Sequence, residues 1–189
     1  MSEALALLQR ASWALLACAC LCLPARAADI EILDVRGQSR DGFYFVDLDA
    51  RIPLTPDMQE AVESGVPLRF VFDVQLLRTR RYVWDARMLV LRRSMRLERH
   101  ALAGKYVVHD EVSQQRQVLA SLPDALEALG QLRDVTLAKL DTLPADLPLR
   151  GRVRAKLDIE GLPAPMRPVA YLSPSWYLGS GWFGWEVTP

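Results

Sequence analysis

Two histidines and a glutamate near the middle of the sequence are residue types that commonly bind transition metals. Glu98, His100 and His109 lie on two segments that alternate apolar and polar residues and are joined through Ala103-Gly104. If the segments form a β-hairpin with a two-residue turn, Glu98 lies opposite His109 and His100 is diagonal to it. Cross-strand neighbours are about 5 Å apart and diagonal ones about 7–8 Å, so the three can converge on zinc or copper. The competing interpretation is a solvated polar face, and under it we expect no metal and no other cofactor.

Arginine is concentrated in one stretch of the sequence, from Arg78 to Arg99. The stretch contains Arg78, Arg80, Arg81, Arg87, Arg92, Arg93, Arg96 and Arg99, against only Asp85 and Glu98. Strand alternation divides these arginines between two faces, and Arg93 and Arg99 fall on the apolar side, where we expect them to pair with acids or to reach the sheet's edge. The candidates for a surface that binds a partner or an anion are Arg78, Arg80, Arg81, Arg92 and Arg96. The alternative is a solvated face with internal ion pairs.

No arrangement typical of a nucleophilic enzyme is present in the sequence. Gly179-Ser180-Gly181 lacks the Gly-x-Ser-x-Gly spacing of a nucleophile elbow. His109 and Asp110 are sequence neighbours, so their side chains point to opposite faces of a strand. The sequence also lacks a phosphate-binding loop and a Cys/His zinc motif. We therefore expect a protein without catalytic residues.

Aromatic residues and glycines are concentrated in the C-terminal stretch 174–187. Its tryptophans are Trp176, Trp182 and Trp185. Gly179, Gly181 and Gly184 interrupt any helix, so the tryptophans cannot form a regular helical anchor. Because a tryptophan buries on the order of 200 Å², we expect the segment to close the core. A carbohydrate or lipid platform built from outward rings is the alternative.

Alternation of apolar and polar residues predicts that β-strands position these side chains. The predicted strands are 30–35, 43–52, 66–77, 82–102, 106–112 and 150–160. In the longest strand the odd-numbered residues are the more apolar, so Leu97 is expected to face inward together with Tyr106 and Val108. We expect a turn from Gly37 to Gly42 between the first two strands, and a break in alternation near Val46 predicts a bulge there or a strand that is buried on both faces.

Two short helices are predicted between the strands. Thr55-Pro56-Asp57 begins the first, which Gly65 ends. Ser121 caps the second, which ends at Gly130. Many strands with two helices indicate a mainly β protein, an antiparallel β-sandwich-like single domain covering residues 28–189.

Residues 1–27 are predicted to form a secretory signal peptide. Arg10 precedes the apolar run 11–23, and Ala25-Arg26-Ala27 is a small-residue cleavage site. The run is shorter than the roughly 20 residues that a membrane span needs, so we expect cleavage after Ala27 and no transmembrane helix in the mature chain. Lipid attachment at Cys18 is the alternative. All three cysteines precede residue 28, so no disulfide is expected. Lys and Arg number 23, as do Asp and Glu, and this balance does not indicate nucleic-acid binding.

Several motifs, taken in order, resemble one known family. They are the segments 61–68, 78–84, 97–102 with 105–106, 157–165 and 176–182. Together they resemble the bacterial family called domain of unknown function 4390, whose members are secreted proteins of Gram-negative proteobacteria. The family usually has an acidic residue just before the first C-terminal tryptophan, where this chain has Ser175. The resemblance implies no catalytic residues, and because members are often encoded beside a two-component sensor kinase, it implies an association with one.

These features predict a periplasmic, non-enzymatic binding module of the cell envelope. The first expected partner is an envelope protein such as a membrane sensor. Binding of an anionic lipid or glycan through an arginine-rich sheet face is the alternative, and a metal protein or enzyme is a third hypothesis.

Overall fold

The strands of this protein form two antiparallel β-sheets. The structure is a computed structural model that describes residues 29–78, 86–143 and 148–187. Its strands are β1 (Glu31–Arg40), β2 (Phe43–Arg51), β3 (Leu68–Arg78), β4 (Ala86–His100), β5 (Lys105–Asp110), β6 (Arg116–Leu119), β7 (Gln131–Lys139), β8 (Leu149–Leu157) and β9 (Phe183–Val187). Its α-helices are α1 (Pro56–Glu63), α2 (Leu122–Gly130) and α3 (Arg167–Leu172). The predicted mainly β, sandwich-like architecture is confirmed.

The two sheets differ in size and share one apolar core. The smaller sheet has the order β1-β2-β7, and the larger has the order β6-β5-β4-β3-β8-β9. Tyr44 and Val46 of β2 belong to the same buried cluster as Phe70 and Phe72 of β3 and Val153 of β8. The other side of the larger sheet, which faces away from this core, is called its outer face below.

The β1–β2 hairpin is tighter than the glycine pattern predicts. β1 runs through Gly37 to Arg40, and only Asp41 and Gly42 form the turn, both at positive φ. This is the geometry of a two-residue hairpin, so the predicted turn from Gly37 to Gly42 is wrong. Gly37 is a glycine for a different reason, since a Cβ there would lie 1.7 Å from the Tyr44 hydroxyl oxygen.

The alternation of β2 itself is unbroken, so the predicted break in it is wrong, although the pairing of β2 with β7 is irregular on either side of Val46. Tyr44, Val46, Leu48 and Ala50 are buried in turn. The irregularities lie in the neighbouring strands instead. Leu33 is an extra residue in β1 between Ile32 and Asp34, and the pairing of β2 with β7 shifts in register twice.

Both predicted helices form with the predicted caps. The Thr55 hydroxyl accepts a hydrogen bond from the Met58 N–H, and the Ser121 hydroxyl accepts one from the Asp124 N–H. These bonds satisfy one of the free donors at each helix start. Helix α3 was not predicted, because it has only six residues and of these only Ala170 is buried, so it carries no apolar stripe. Within the described ranges no helix has the length and apolar character needed to cross a membrane.

The β4–β5 hairpin keeps the predicted faces but not the predicted register. Residues 101–104 form the turn, and His100 pairs with Lys105. The predicted two-residue turn is therefore wrong. A two-residue type I′ turn needs positive φ at both central residues, which Gly104 adopts and Ala103 does not. Because the register moves by two residues, Leu97, Tyr106 and Val108 still face the core as predicted.

Candidate functional site

The central strand of the larger sheet presents polar side chains on the outer face. Even-numbered residues of β3 such as Phe70 and Phe72 lie in the core, so Asp73 and Gln75 lie on the opposite side. The strand pairing places Arg92 of β4 and Arg154 of β8 on either side of Asp73. We call the resulting surface the arginine face and define it as Arg69, Arg92, Arg96, Arg150, Arg152 and Arg154.

Two buried side chains hold the centre of the arginine face in place. Asp73 is 2% exposed, and its carboxylate accepts hydrogen bonds from Arg92 at 3.0 Å and from Arg154 at 3.1 Å. The Gln75 carbonyl oxygen accepts two bonds from Arg152, at 3.0 and 2.8 Å. A guanidinium has five N–H donors, and each of these arginines uses only one or two of them here. The remaining donors, together with an excess of positive charge, are available to a partner.

A second cluster on the same face is balanced in charge. Glu111 accepts hydrogen bonds from Arg69 and Arg96, and Asp158 lies 3.6 Å from Arg69. Burial raises the pKa of Glu111, but the two arginines outweigh burial and hold that pKa below its ordinary value. Two acids therefore neutralise two arginines, which indicates a structural role for this end of the face.

We expect the Glu111 cluster to make stability sensitive to acid. Because the folded-state pKa is lowered, the stabilisation is fully present above the unfolded pKa of about 4.3 and is lost as pH falls through the folded value. Between about pH 5 and pH 3 the free energy of unfolding should fall less steeply in Glu111→Gln than in the natural protein. Urea unfolding at a series of pH values measures this, and parallel slopes would contradict it.

Trp182 lies on the arginine face rather than in the core. The guanidinium carbons of Arg152 and Arg154 lie 4.3 and 4.6 Å from the centroid of its ring, within the range of cation–π interactions. Trp182 is 39% exposed, whereas Trp176 is 5% exposed and belongs to the core. Trp185 packs inward against Gly151, where a Cβ would lie 2.2 Å from its ring. Of the three tryptophans expected to close the core, Trp176 and Trp185 pack on it and Trp182 does not.

The histidines and the glutamate proposed as metal ligands are not brought together. His109 pairs with Arg96, Glu98 with Val107, and His100 with Lys105. The predicted opposition of Glu98 and His109 is therefore wrong, because the wider turn moves β5 by two residues. Across the described part of the chain, no group of three or more His, Cys, Asp or Glu side chains could hold a metal ion.

The arginines proposed from sequence as a binding surface do not all lie on one face. Arg92 and Arg96 lie on the arginine face, whereas Arg78 pairs with the buried Leu149 and therefore lies on the core side. Arg80 and Arg81 lie outside the described residues. The expectation that the two inward arginines pair with acids is confirmed, since Arg93 contacts Asp110 at 2.5 Å and Arg99 contacts Glu63 at 3.1 Å.

The contribution of β8 to this face was not predicted from the sequence. Arg150, Arg152 and Arg154 lie on its outer side, next to β3. The signal was present in the clean alternation of residues 150–160, where every second side chain from Arg150 to Lys156 is basic. The missing information was that β8 pairs with β3, since this pairing brings the two sets of arginines together.

The geometry thus defines a two-sheet β protein with a basic, tryptophan-bearing outer sheet face. The sequence model of the family described as Domain of unknown function (DUF4390) matches residues 27–186, and the chain belongs to this family. The resemblance noted from its motifs is therefore confirmed. Neither a curated protein nor a solved structure matches the chain.

Proposed function

We propose that the protein is a non-enzymatic binding module of the cell envelope that docks on an acidic surface of another envelope protein through its arginine face. Residues 1–27 would direct its export to the periplasm. The expected partner is the external domain of a membrane sensor. The observation that carries the proposal is the placement of Arg92 and Arg154 on the single buried carboxylate of Asp73.

This placement favours binding because it fixes the arginines before a partner arrives. Free arginine side chains lose rotamer entropy when a complex forms, and side chains already held by hydrogen bonds lose less. Arg152 is held by Gln75, which carries no charge and leaves the positive charge of the guanidinium uncompensated. Arginine and tryptophan are also the residue types most enriched among the strongest contacts of protein interfaces.

The exposed arginines of the smaller sheet provide the contrast. Arg36 contacts Asp34 and Asp49, and Arg51 contacts Glu31. Each arginine there has at least one acid of its own, and most of these groups are well exposed. Such pairs contribute little and leave no excess of charge for a partner.

The proposal is tested by neutralising two arginines of the face. We expect the double variant Arg92→Gln with Arg152→Gln to lose the crosslinked partner from the native envelope, because each lost charged contact weakens binding by about 30-fold or more. Arg154 remains to pair with Asp73, so the fold should be retained.

The matched control is Arg36→Gln with Arg51→Gln, which removes the same charge from the smaller sheet. The control should keep the partner. Equal recovery of the partner by both double variants would contradict the proposal. If no protein is crosslinked and the natural chain instead binds phosphatidylglycerol vesicles in a salt-sensitive way, the anionic lipid alternative replaces it.

A further inference from the structure

A pocket opens at the edge of the arginine face, where β8 pairs with β9. Its volume is about 390 Å³. It is lined by Leu77, Arg150, Gly151, Arg152, Trp182, Gly184, Trp185 and Glu186. The pocket lies on the outer face, because Arg152 and Gly184 pair with each other there and so do Arg150 and Glu186.

The pocket exists because one position of β9 has no side chain. Gly184 lies between Trp182 and Glu186 on the same side of the strand. A Cβ at Gly184 would meet only the carbonyl oxygen of Gly151, at 3.7 Å, so the space beyond it is open. The backbone of Gly184 does not require glycine, since it is absent from the positive-φ residues. Its effect is therefore to leave a depression in the face.

The walls of the depression combine apolar and cationic groups with one acid, Glu186. Leu77, which is 7% exposed, lines the pocket from β3, and the ring of Trp182 provides an aromatic wall. Arg152 directs its Nε and one Nη to Gln75, which leaves its other Nη for a ligand. Arg150 is exposed, and the described part of the chain gives it no acid within ion-pair distance.

These groups are suited to a ligand in which an aromatic ring lies beside a carboxylate. A ring can pack on Leu77 and against Trp182, and an adjacent carboxylate can accept hydrogen bonds from Arg150 and Arg152. The volume is near the lower end of the range of about 300–1000 Å³ for ligand pockets, which suits one side chain better than a lipid tail. Anchors of protein interfaces are commonly aromatic side chains in such pockets.

We propose that this pocket takes a tyrosine or phenylalanine side chain from an acidic segment of the protein partner. The inference rests on the proposed function and specifies the sequence that the arginine face recognises. An aspartate or glutamate next to the aromatic residue lies against Arg150 and Arg152, and further acids of the segment reach Arg92 and Arg154.

The test compares two synthetic polymers of equal length, a glutamate homopolymer and a random copolymer of glutamate and tyrosine. We expect the natural protein to bind the fluorescently labelled copolymer about tenfold more tightly than the homopolymer, as measured by anisotropy at low salt. Gly184→Leu fills the pocket without removing an arginine, so it should bind both polymers equally. Trp182→Leu should lose the preference as well, and an unchanged urea midpoint for either variant shows that the fold is intact.

The failures of the two proposals are distinguishable in this experiment. If the natural protein binds both polymers with equal affinity, the pocket inference is overturned and the arginine face stands. A tyrosine preference that survives in both pocket variants also overturns it. If neither polymer binds, the proposed function fails together with the inference.

Discussion

Replacing Trp176 with alanine is expected to destabilise the protein by about 3–5 kcal/mol, as large-to-small changes of buried tryptophans do. Trp176 is 5% exposed and belongs to the core cluster that both sheets share. Its turn is tied to the start of α1, because the Thr55 hydroxyl donates to the Ser175 carbonyl oxygen. The free energy of unfolding in urea, followed by far-UV circular dichroism, measures the loss.

Trp182 is the matched control, since it is a tryptophan of the same segment on the opposite side of the sheet. Trp182→Ala removes two cation–π contacts at a partly exposed site, each of which contributes about 0.5–1 kcal/mol. Its expected loss is therefore well below that of Trp176→Ala. Similar losses for the two variants would show that Trp182 closes the core as well, and would weaken its assignment to the binding face.

Gly130→Ala is expected to cost about 3 kcal/mol, although alanine is the better helix former. Gly130 is the last residue of α2, and a Cβ there would lie 2.0 Å from the carbonyl oxygen of Ala50 in β2. The atom it meets belongs to the backbone, so the helix end and β2 must move apart. The higher helix propensity of alanine offsets at most about 1 kcal/mol of this cost. The steric clash is larger, so the substitution is expected to be destabilising.

Gly181→Ala provides the control for this change. No atom lies within 4 Å of a Cβ at that position. We expect its free energy of unfolding to stay within about 0.5 kcal/mol of the natural value, as for most surface changes. A stable Gly130→Ala variant would mean that α2 and β2 are not packed as closely as the structure shows.

Side-chain alternation predicted the faces of the strands, and local chemistry predicted the helices. The core positions Leu97, Tyr106 and Val108 follow from alternation, and the caps Thr55 and Ser121 act within three residues. The register of β4 and β5 could not be predicted in this way, because a shift of two residues leaves every face unchanged. Strand β6 was missed because its four residues are nearly all exposed and carry no apolar pattern.

The candidate site was predicted only in part, because it depends on which strands are neighbours. Arg92 and Arg96 were identified within one stretch of sequence, but Arg152 and Arg154 join them only through the pairing of β8 with β3. That pairing links residues about 80 positions apart, a long-range contact that a local pattern does not contain. Asp73 could have been identified from the sequence as a site residue, because an acid in a largely apolar strand needs partners when it is buried.

The extra residue Leu33 has a consequence for how copies of this protein meet one another. β1 borders the smaller sheet, and a straight border strand of ten residues is a template on which a second copy can add its own strand. The bulge interrupts the even spacing of amide groups there, and charged Asp34 and Arg36 follow it immediately. The interrupted hydrogen-bonding pattern and the charges therefore disfavour the addition of a strand from a second copy at this edge.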